Sequence, residues 1–321
     1  MRMLHLTQYM LLQSQTYLCE NVYMRVGAFD INEKFLGNKE VDAVALLYPW
    51  VDAGSVATLA LETLEEYLGA DEIGELRRPG SFFDFTRYRP EATFLDGERK
   101  IYLPNSKVYY ATRDDGPDIL FLHLKEPHAE HEKYISSVME LLRVFNVKRY
   151  CRISGMYNAV PHTRPLRVTG SPGLENLPGL ESLVSPRVGS SYQGPTSIMS
   201  FITEELDKDG IESVSFMVHL PHYLGLGEDY SGAARLVEIL CKLYKIPSDI
   251  ADFEEGKKQY ESMETELYSS PQARSLVEGL EEYYDSQSEG DTEDAAEATQ
   301  LSPDVESFLE EIGKQLDEDR S

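Results

Sequence analysis

Short apolar runs alternate with helix-periodic segments through the middle of this chain. Four runs predict strands, at residues 43–47, 119–124, 147–153 and 213–220, and the first two have the composition of buried strands. Apolar residues at helical spacing predict amphipathic helices near residues 56–68, 134–145, 195–209 and 233–244. Such alternation predicts an α/β fold with a mostly parallel mixed sheet and right-handed crossovers. Residues 73–118 instead have the turns and alternating runs of antiparallel strands at a sheet edge.

The 321 residues are divided by changes in composition. We expect a loose N-terminal arm at residues 1–22 and one α/β core domain at 23–250. C-terminal helices follow, because apolar residues recur at helical spacing over a helical extension at 251–284. The polar, small residues of 285–300 predict a disordered acidic linker. Residues 301–321 predict an amphipathic helix capped at Ser302-Pro303, with a stripe of Val305, Phe308, Leu309, Ile312 and Leu316.

The net charge of −26 argues against two classes of partner. Residues 251–321 hold 22 acidic and 5 basic residues, so most of the charge forms an acidic C-terminal tail. Phosphate backbones and anionic lipids both need a basic surface, so we expect neither nucleic acid nor membrane as a partner. No apolar run approaches the length of a membrane span, and Cys19, Cys151 and Cys241 form no CxxC pair. These features predict a cytoplasmic protein with reduced cysteines.

Polar loops stiffened by proline recur after the predicted strands. They include Glu126-Pro127-His128, Pro161-His162-Thr163-Arg164-Pro165 and Pro221-His222-Tyr223, while Gly194-Pro195-Thr196 opens a predicted helix. Because ligands of α/β proteins bind at the carboxyl ends of strands, a site is expected at this edge. The candidate acid–base residues are Glu126, His162 and His222. The candidate ligand-binding residues are Asp52, Gly54, His128, Thr163, Arg164, Gly194, Thr196 and Tyr223.

Each of these candidates also has a purely structural interpretation. Arg164 could hold a carboxylate or phosphate while His162 moves a proton, or both could serve ion pairing and backbone hydrogen bonds. Asp52 could place a carboxylate at the sheet edge or only fold a turn. The segment 194–196 could bind an anion, although a well-capped helix is the favoured interpretation.

Metal binding and cofactor binding are not expected. Glu126, His128, His162 and His222 are metal-ligand types, but they lie in three separated loops without HxxxH or HxH spacing. No GxxxxGK[ST] loop, GxSxG elbow or cysteine nucleophile context is present in the sequence. We therefore assign no metal and no cofactor.

Taken in order, the loops resemble the proteasome assembly chaperone 2 family, especially its bacterial branch. The resemblance rests on Val51-Asp52-Ala53-Gly54, Phe85-Thr86-Arg87-Tyr88-Arg89-Pro90 and the loops at 126–128, 161–165, 192–196 and 220–223, and covers roughly residues 43–316. It implies a phosphorylase/hydrolase-like three-layer sandwich, a homo-oligomer that is often a trimer, and no firmly established reaction. Eukaryotic and archaeal relatives help to assemble proteasome α-subunits, which implies a proteasome-related protein partner. The chain ends Asp319-Arg320-Ser321, whereas the archaeal type can end in a hydrophobic-Tyr-any tripeptide that docks into proteasome pockets.

Two hypotheses about function follow, and the sequence leaves open whether the protein is an enzyme. The first is a chaperone-like interaction protein that holds partner subunits with its loops and acidic tail. The second is an enzyme or binder of an anionic small molecule, of phosphorylase/hydrolase or carboxylate-amine ligase type, with its site at the strand ends. The ligase label lacks support, since no glycine-rich phosphate lid with a lysine and no acid cluster for Mg-ATP is recognisable.

Overall fold

The computed structural model describes residues 22–289, apart from residues 38, 50, 96, 172–176, 178 and 187–195. The predicted N-terminal arm, most of the acidic linker and the last amphipathic helix therefore lie outside the described residues, as do Cys19 and Gly194. None of the helices in the described part is both long enough and apolar enough to cross a lipid bilayer. Cys151 and Cys241 are buried as free thiols.

Twelve strands are present in the described residues. They are β1 (Tyr23–Val26), β2 (Phe29–Asn32), β3 (Val41–Tyr48), β4 (Asp71–Leu76), β5 (Glu91–Leu95), β6 (Glu98–Tyr102), β7 (Lys107–Ala111), β8 (Asp118–Lys125), β9 (Val147–Asn158), β10 (Val168–Gly170), β11 (Ser185–Pro186) and β12 (Glu212–Pro221). Ten of them form one sheet in the order β1-β2-β4-β7-β8-β3-β9-β12-β10-β11, and β5 pairs with β6 alone. The sheet contains all four strands that the apolar runs predict.

The centre of the sheet is parallel and its flanks are mainly antiparallel. β8, β3, β9 and β12 run in the same direction, whereas β1, β2, β4 and β7 alternate, and β10 runs against β12. The prediction of a mostly parallel sheet is therefore wrong. The reason is connection length, since a parallel crossover needs a dozen or more residues and only six separate β7 from β8.

Residues 73–118 form antiparallel strands, as predicted. The prediction that they lie at an edge of the sheet is wrong. β4 and β7 lie inside the sheet because β1 and β2 add two more strands beyond them. A tight turn at Gly27-Ala28 joins β1 to β2. These four-residue strands are too short to give a recognisable alternating pattern in the sequence.

Helices cover both faces of the sheet. The helices are α1 (Val56–Leu68), α2 (His131–Val144), α3 (Ile198–Asp209), α4 (Tyr230–Tyr244), α5 (Phe253–Leu267) and α6 (Pro271–Glu289). α2 and α3 share one apolar core with one face of the sheet, and α1 and α4 share a second core with the other face. Residues of β3 alternate between the two cores, with Ala45 and Leu47 in the first and Val44 and Leu46 in the second. A strand buried on both faces explains the continuous apolar run.

Two predicted boundaries differ from the structure. α3 begins at Ile198 rather than near residue 195, because the Ser197 hydroxyl accepts a hydrogen bond from the Met199 N–H and caps the helix. α6 continues to Glu289, five residues into the segment that was predicted to be linker from residue 285. Asp285 lies in this last part of the helix and pairs with Arg164, a contact between distant residues that composition does not reveal.

Candidate functional site

The polar loops follow the carboxyl ends of the parallel strands, as the sequence predicts. The loops after β3, β8, β9 and β12 all leave the same edge of the sheet, because these four strands run in parallel. We call this the carboxyl edge. β4 ends and β7 begins at the same edge, since β7 runs antiparallel to β8 and β4 antiparallel to β7. Residues 77–106 therefore also lie at the carboxyl edge.

His162 is held in a buried cluster of aromatic side chains. Its backbone N–H donates to the Tyr223 hydroxyl at 2.8 Å, and that hydroxyl forms a second hydrogen bond with His162 Nδ1 at 2.6 Å. Tyr223, Tyr260 and Tyr268 pack around the ring. The other ring nitrogen, Nε2, lies 3.9 Å from Glu264 Oε1. The candidate residues His162 and Tyr223 are therefore in direct contact.

The side chains of Arg164 and Thr163 bind α6. Arg164 Nε and Nη2 donate to the two carboxylate oxygens of Asp285 at 3.0 and 2.8 Å, and Nη1 donates to Glu281 Oε1 at 3.2 Å. The Thr163 hydroxyl also donates to Glu281. These hydrogen bonds raise the pKa of Arg164 and lower that of Asp285. The geometry matches the ion-pair interpretation of Arg164 rather than the anion-binding one.

His222 faces backbone rather than His162. Its Nδ1–H donates to the Asn158 carbonyl oxygen at 3.0 Å, and its backbone N–H donates to the same oxygen at 3.3 Å. Its ring meets Tyr223 edge to face. His222 therefore fastens the end of β12 to the end of β9.

Glu126 and His128 lie in a second cluster. Both carboxylate oxygens of Glu126 accept from the Ile198 N–H, at 3.0 and 3.3 Å, so Glu126 caps α3. Burial raises the pKa of Glu126, while the bond from Ile198 acts in the opposite sense. His128 Nδ1 accepts from the Asp84 N–H at 3.2 Å and its ring packs against Tyr88. Thr196 Oγ1 lies 2.6 Å from Ser200 Oγ, within the first turn of the same helix.

Asp52 and Gly54 fold the loop after β3. The buried carboxylate of Asp52 accepts from the Ala57 N–H and the Thr58 hydroxyl, both at 2.7 Å, and so holds the first turn of α1. Burial raises the pKa of Asp52. Gly54 has φ of +59° and lies against Asp229, where a Cβ would approach the Asp229 Cβ to 2.8 Å. The turn-folding interpretation of Asp52 fits this geometry.

Five of the candidate residues line two different clefts. The first cleft, about 600 Å³, lies between the 162–166 loop, α4 and α5, and includes His162 and Arg164. The second cleft, about 680 Å³, lies between residues 80–87 and 126–131 and includes Glu126 and His128. The four residues considered as metal ligands are thus divided, and the described residues contain no group of three or more potential ligands.

Asp229 is a buried residue at the carboxyl edge that is not among the candidates from the sequence. Its side chain is buried and accepts from the Gly232 N–H at 2.8 Å and from the Tyr260 hydroxyl at 2.8 and 3.0 Å. Its backbone N–H donates to the Gly54 carbonyl oxygen at 2.8 Å. Asp229 therefore caps α4 and holds α5 against the loop after β3. Asp229 lies four residues before the predicted start of this helix at residue 233 and directly before its observed start at Tyr230, and aspartate is a preferred capping residue.

The pH dependence of stability tests the burial of His162. Burial lowers the pKa of His162 from 6.5, and the nearby carboxylates of Glu264 and Glu281 oppose this shift without cancelling it. The folded state therefore favours the neutral ring, and its stabilising effect is present above pH 6.5 and is lost as the pH falls through the lowered pKa. We expect His162→Gln to flatten the acid side of the unfolding free-energy profile, by at most about 1.4 kcal/mol per pH unit. Urea unfolding between pH 7.5 and 5 measures this, and a His162 NMR titration midpoint at or above 6.5 would contradict it.

Comparison with known proteins identifies related folds. The chain is similar to the Mycobacterium tuberculosis unknown function protein Rv2714, with a TM-score of 0.70 and 24% identity over 83% of this chain and 94% of that one. It is also similar to a PAC2 family protein from Streptomyces avermitilis MA, with a TM-score of 0.63 and 23% identity over 74% and 99%. The M. tuberculosis proteasome-assembly chaperone homologue Rv2125 gives a TM-score of 0.62 and 22% identity over 74% and 99%. At these identities the likeness establishes a shared α/β fold.

The sequence comparison establishes the family. None of the curated proteins matches the chain. The PAC2 family matches over residues 46–268, which is more than half of the chain and includes the loops at 126–128, 161–165 and 221–223. The resemblance to the proteasome assembly chaperone 2 family is thereby confirmed. The chain belongs to the PAC2 family.

Proposed function

We propose that this protein is an assembly-chaperone-like interaction protein that binds proteasome-related subunits, with no established reaction. The observation that carries the proposal is membership of the PAC2 family over residues 46–268. The fold shared with the M. tuberculosis proteasome-assembly chaperone homologue Rv2125 supports it. A chaperone of this kind needs a rigid edge with projecting loops to hold its partner.

The hydrogen bonds at the carboxyl edge support an interaction role. Asp52, Glu126 and Asp229 each cap a helix, and Arg164 joins the loop after β9 to α6. These polar groups hold the loops in place, so they provide a preorganised surface. A preorganised surface reduces the entropy lost when a partner binds.

Several finer features belong to the same proposal. We propose a phosphorylase/hydrolase-like three-layer sandwich, which the helices on both faces of the sheet support. We propose a homo-oligomer, a trimer by family resemblance, working in the cytoplasm and using its loops and acidic tail to hold partner subunits. We propose that the chain consists of a core domain at residues 23–250 and a helical extension that reaches Glu289. A short acidic linker then precedes the last segment.

Binding to proteasome α-subunits tests the proposal directly. The tagged full-length chain is mixed with recombinant α-subunits from the same organism, and complexes are measured by native mass spectrometry and light scattering. We expect a defined complex with a dissociation constant in the micromolar range or tighter. Pull-down from native lysate is the second arm. Recovery of only the protein itself in both arms would refute the proposed function.

A pair of charge reversals locates the partner on the carboxyl edge. Arg87 lines the second cleft at this edge, whereas Lys148 lies near the start of β9, at the opposite end of the sheet. We expect Arg87→Glu to weaken α-subunit binding about ten-fold, because reversal of a rim charge disturbs electrostatic complementarity. Lys148→Glu is the matched control and should leave binding unchanged. Equal effects of the two variants would place the partner elsewhere.

A further inference from the structure

The hairpin of β5 and β6 is exposed on both faces. Every residue of Glu91–Leu95 and Glu98–Tyr102 is exposed, and the two strands pair only with each other. A two-stranded hairpin without further packing is marginally stable in water. Its apolar side chains therefore need a covering surface.

One face of the hairpin is apolar except for one basic residue, Arg99. Cross-strand pairing places Ala92 opposite Ile101 and Phe94 opposite Arg99 on the same face. Phe94 is 75% exposed and Ile101 60% exposed. Leu103, directly after β6, is 50% exposed. An apolar patch of this size on an independent hairpin is typical of a docking surface.

The apolar face of the hairpin carries one charged side chain, the basic Arg99. The hairpin as a whole, residues 91–102, contains two basic and three acidic residues, but Glu91, Glu98 and Lys100 belong to the opposite face. Among the residues that the structure describes, neither Arg99 nor Lys100 forms an ion pair. The hairpin therefore fits an occupant that is both apolar and acidic.

The chain contains such a segment after α6. Residues 302–316 carry a stripe of five apolar residues together with four acidic residues and one lysine. As a helix they would be about 22 Å long, close to the length of a five-residue strand pair with its turn. α6 ends at Glu289 and is bound through Asp285 to the loop after β9, at the same carboxyl edge from which the hairpin extends. The 12 residues 290–301 can span at most about 40 Å.

We propose that residues 302–316 dock on the β5–β6 hairpin of the same chain, with the apolar stripe on Phe94 and Ile101 and an acidic residue near Arg99. This goes beyond the proposed function and does not depend on it. The docked segment would cover the hairpin whenever no partner is bound. The other occupants, a second copy or a foreign protein, are separate outcomes of the test.

Lysine cross-linking of the full-length protein tests the proposal. Lys100 lies on the hairpin and Lys314 lies within the segment, so an amine-reactive cross-linker should join them. A mixture of light and heavy isotope-labelled chains distinguishes links within a chain from links between chains. The proposal expects the link within one chain. A link only between light and heavy chains would overturn it in favour of a second copy.

Hydrogen exchange provides a readout that does not require the two lysines to be close. We expect Phe308→Asp to raise the exchange rate of the amides in residues 91–102 about ten-fold or more, because the covering segment leaves. Ser307→Asp is the matched control, since it adds the same charge on the opposite side of the predicted helix, and it should leave exchange unchanged. Equal exchange rates in the two variants would overturn the proposal, whatever the cross-linking result and whether or not α-subunits bind.

Discussion

Asp229→Ala is expected to lower the free energy of unfolding by about 3 kcal/mol. The Asp229 carboxylate accepts from the Gly232 N–H and the Tyr260 hydroxyl, and it is 2% exposed. Loss of the helix cap costs about 1 kcal/mol. The buried Tyr260 hydroxyl would lose its acceptor, which costs a further 1–3 kcal/mol. Urea unfolding measures the sum, and exchange in α5 should rise because Tyr260 holds that helix on the core.

Asp229→Asn separates the acceptor geometry from the charge. Burial raises the pKa of Asp229, so the ionised form is less favoured there than in water and the charge itself is not the source of stability. The amide oxygen of asparagine can still accept from Gly232 and Tyr260. We therefore expect Asp229→Asn to cost about 1 kcal/mol, well below the alanine variant. A loss under about 0.5 kcal/mol for Asp229→Ala would show that the cap contributes little.

The central strands and their helices could be predicted because local pattern and burial agree there. β3 and β8 are buried on both faces along most of their length, and such strands are nearly continuous apolar runs in the sequence. β9 and β12 alternate between buried and more exposed residues, which is also a strand pattern. α1 keeps Val56, Ala60 and Leu64 on its buried face and ends at Gly69, which has φ of +63°. Each of these features depends on residues close together in the chain.

Local sequence patterns do not predict the strand order at the flanks of the sheet or the separation of the candidate residues into two clefts. The strand order places β4 beside β7, although 30 residues separate the end of β4 from the start of β7. Glu126 caps a helix that begins 72 residues later, and Arg164 pairs with Asp285, 121 residues away. Pairing over such distances is set by packing of the whole domain. The common edge of the loops was therefore predictable, whereas their separation into two clefts was not.

Gly155→Ala is expected to destabilise the fold by about 2–3 kcal/mol. Gly155 lies in β9, where its N–H donates to the Val51 carbonyl oxygen at 2.9 Å and the loop after β3 crosses closely. A Cβ at this position would lie 2.3 Å from Val56 Cγ2 and 3.1 Å from the Ala53 carbonyl oxygen. Since Val56 is fully buried and begins α1, it has no space to move aside. Overpacking of this kind typically costs 1–3 kcal/mol.

Two variants show whether the clash with Val56 causes the loss. Val56→Ala removes the Cγ2 atom that the new methyl group would meet, so Gly155→Ala with Val56→Ala should be less destabilised than the sum of the two single variants. Gly279→Ala is the control, because Gly279 lies in α6 with no neighbouring atom within 4 Å of the added Cβ. That variant should gain about 0.5–1 kcal/mol from helix propensity. If the two losses at positions 155 and 56 are additive, the destabilisation comes from the strand itself and not from its contact with the loop that carries Asp52.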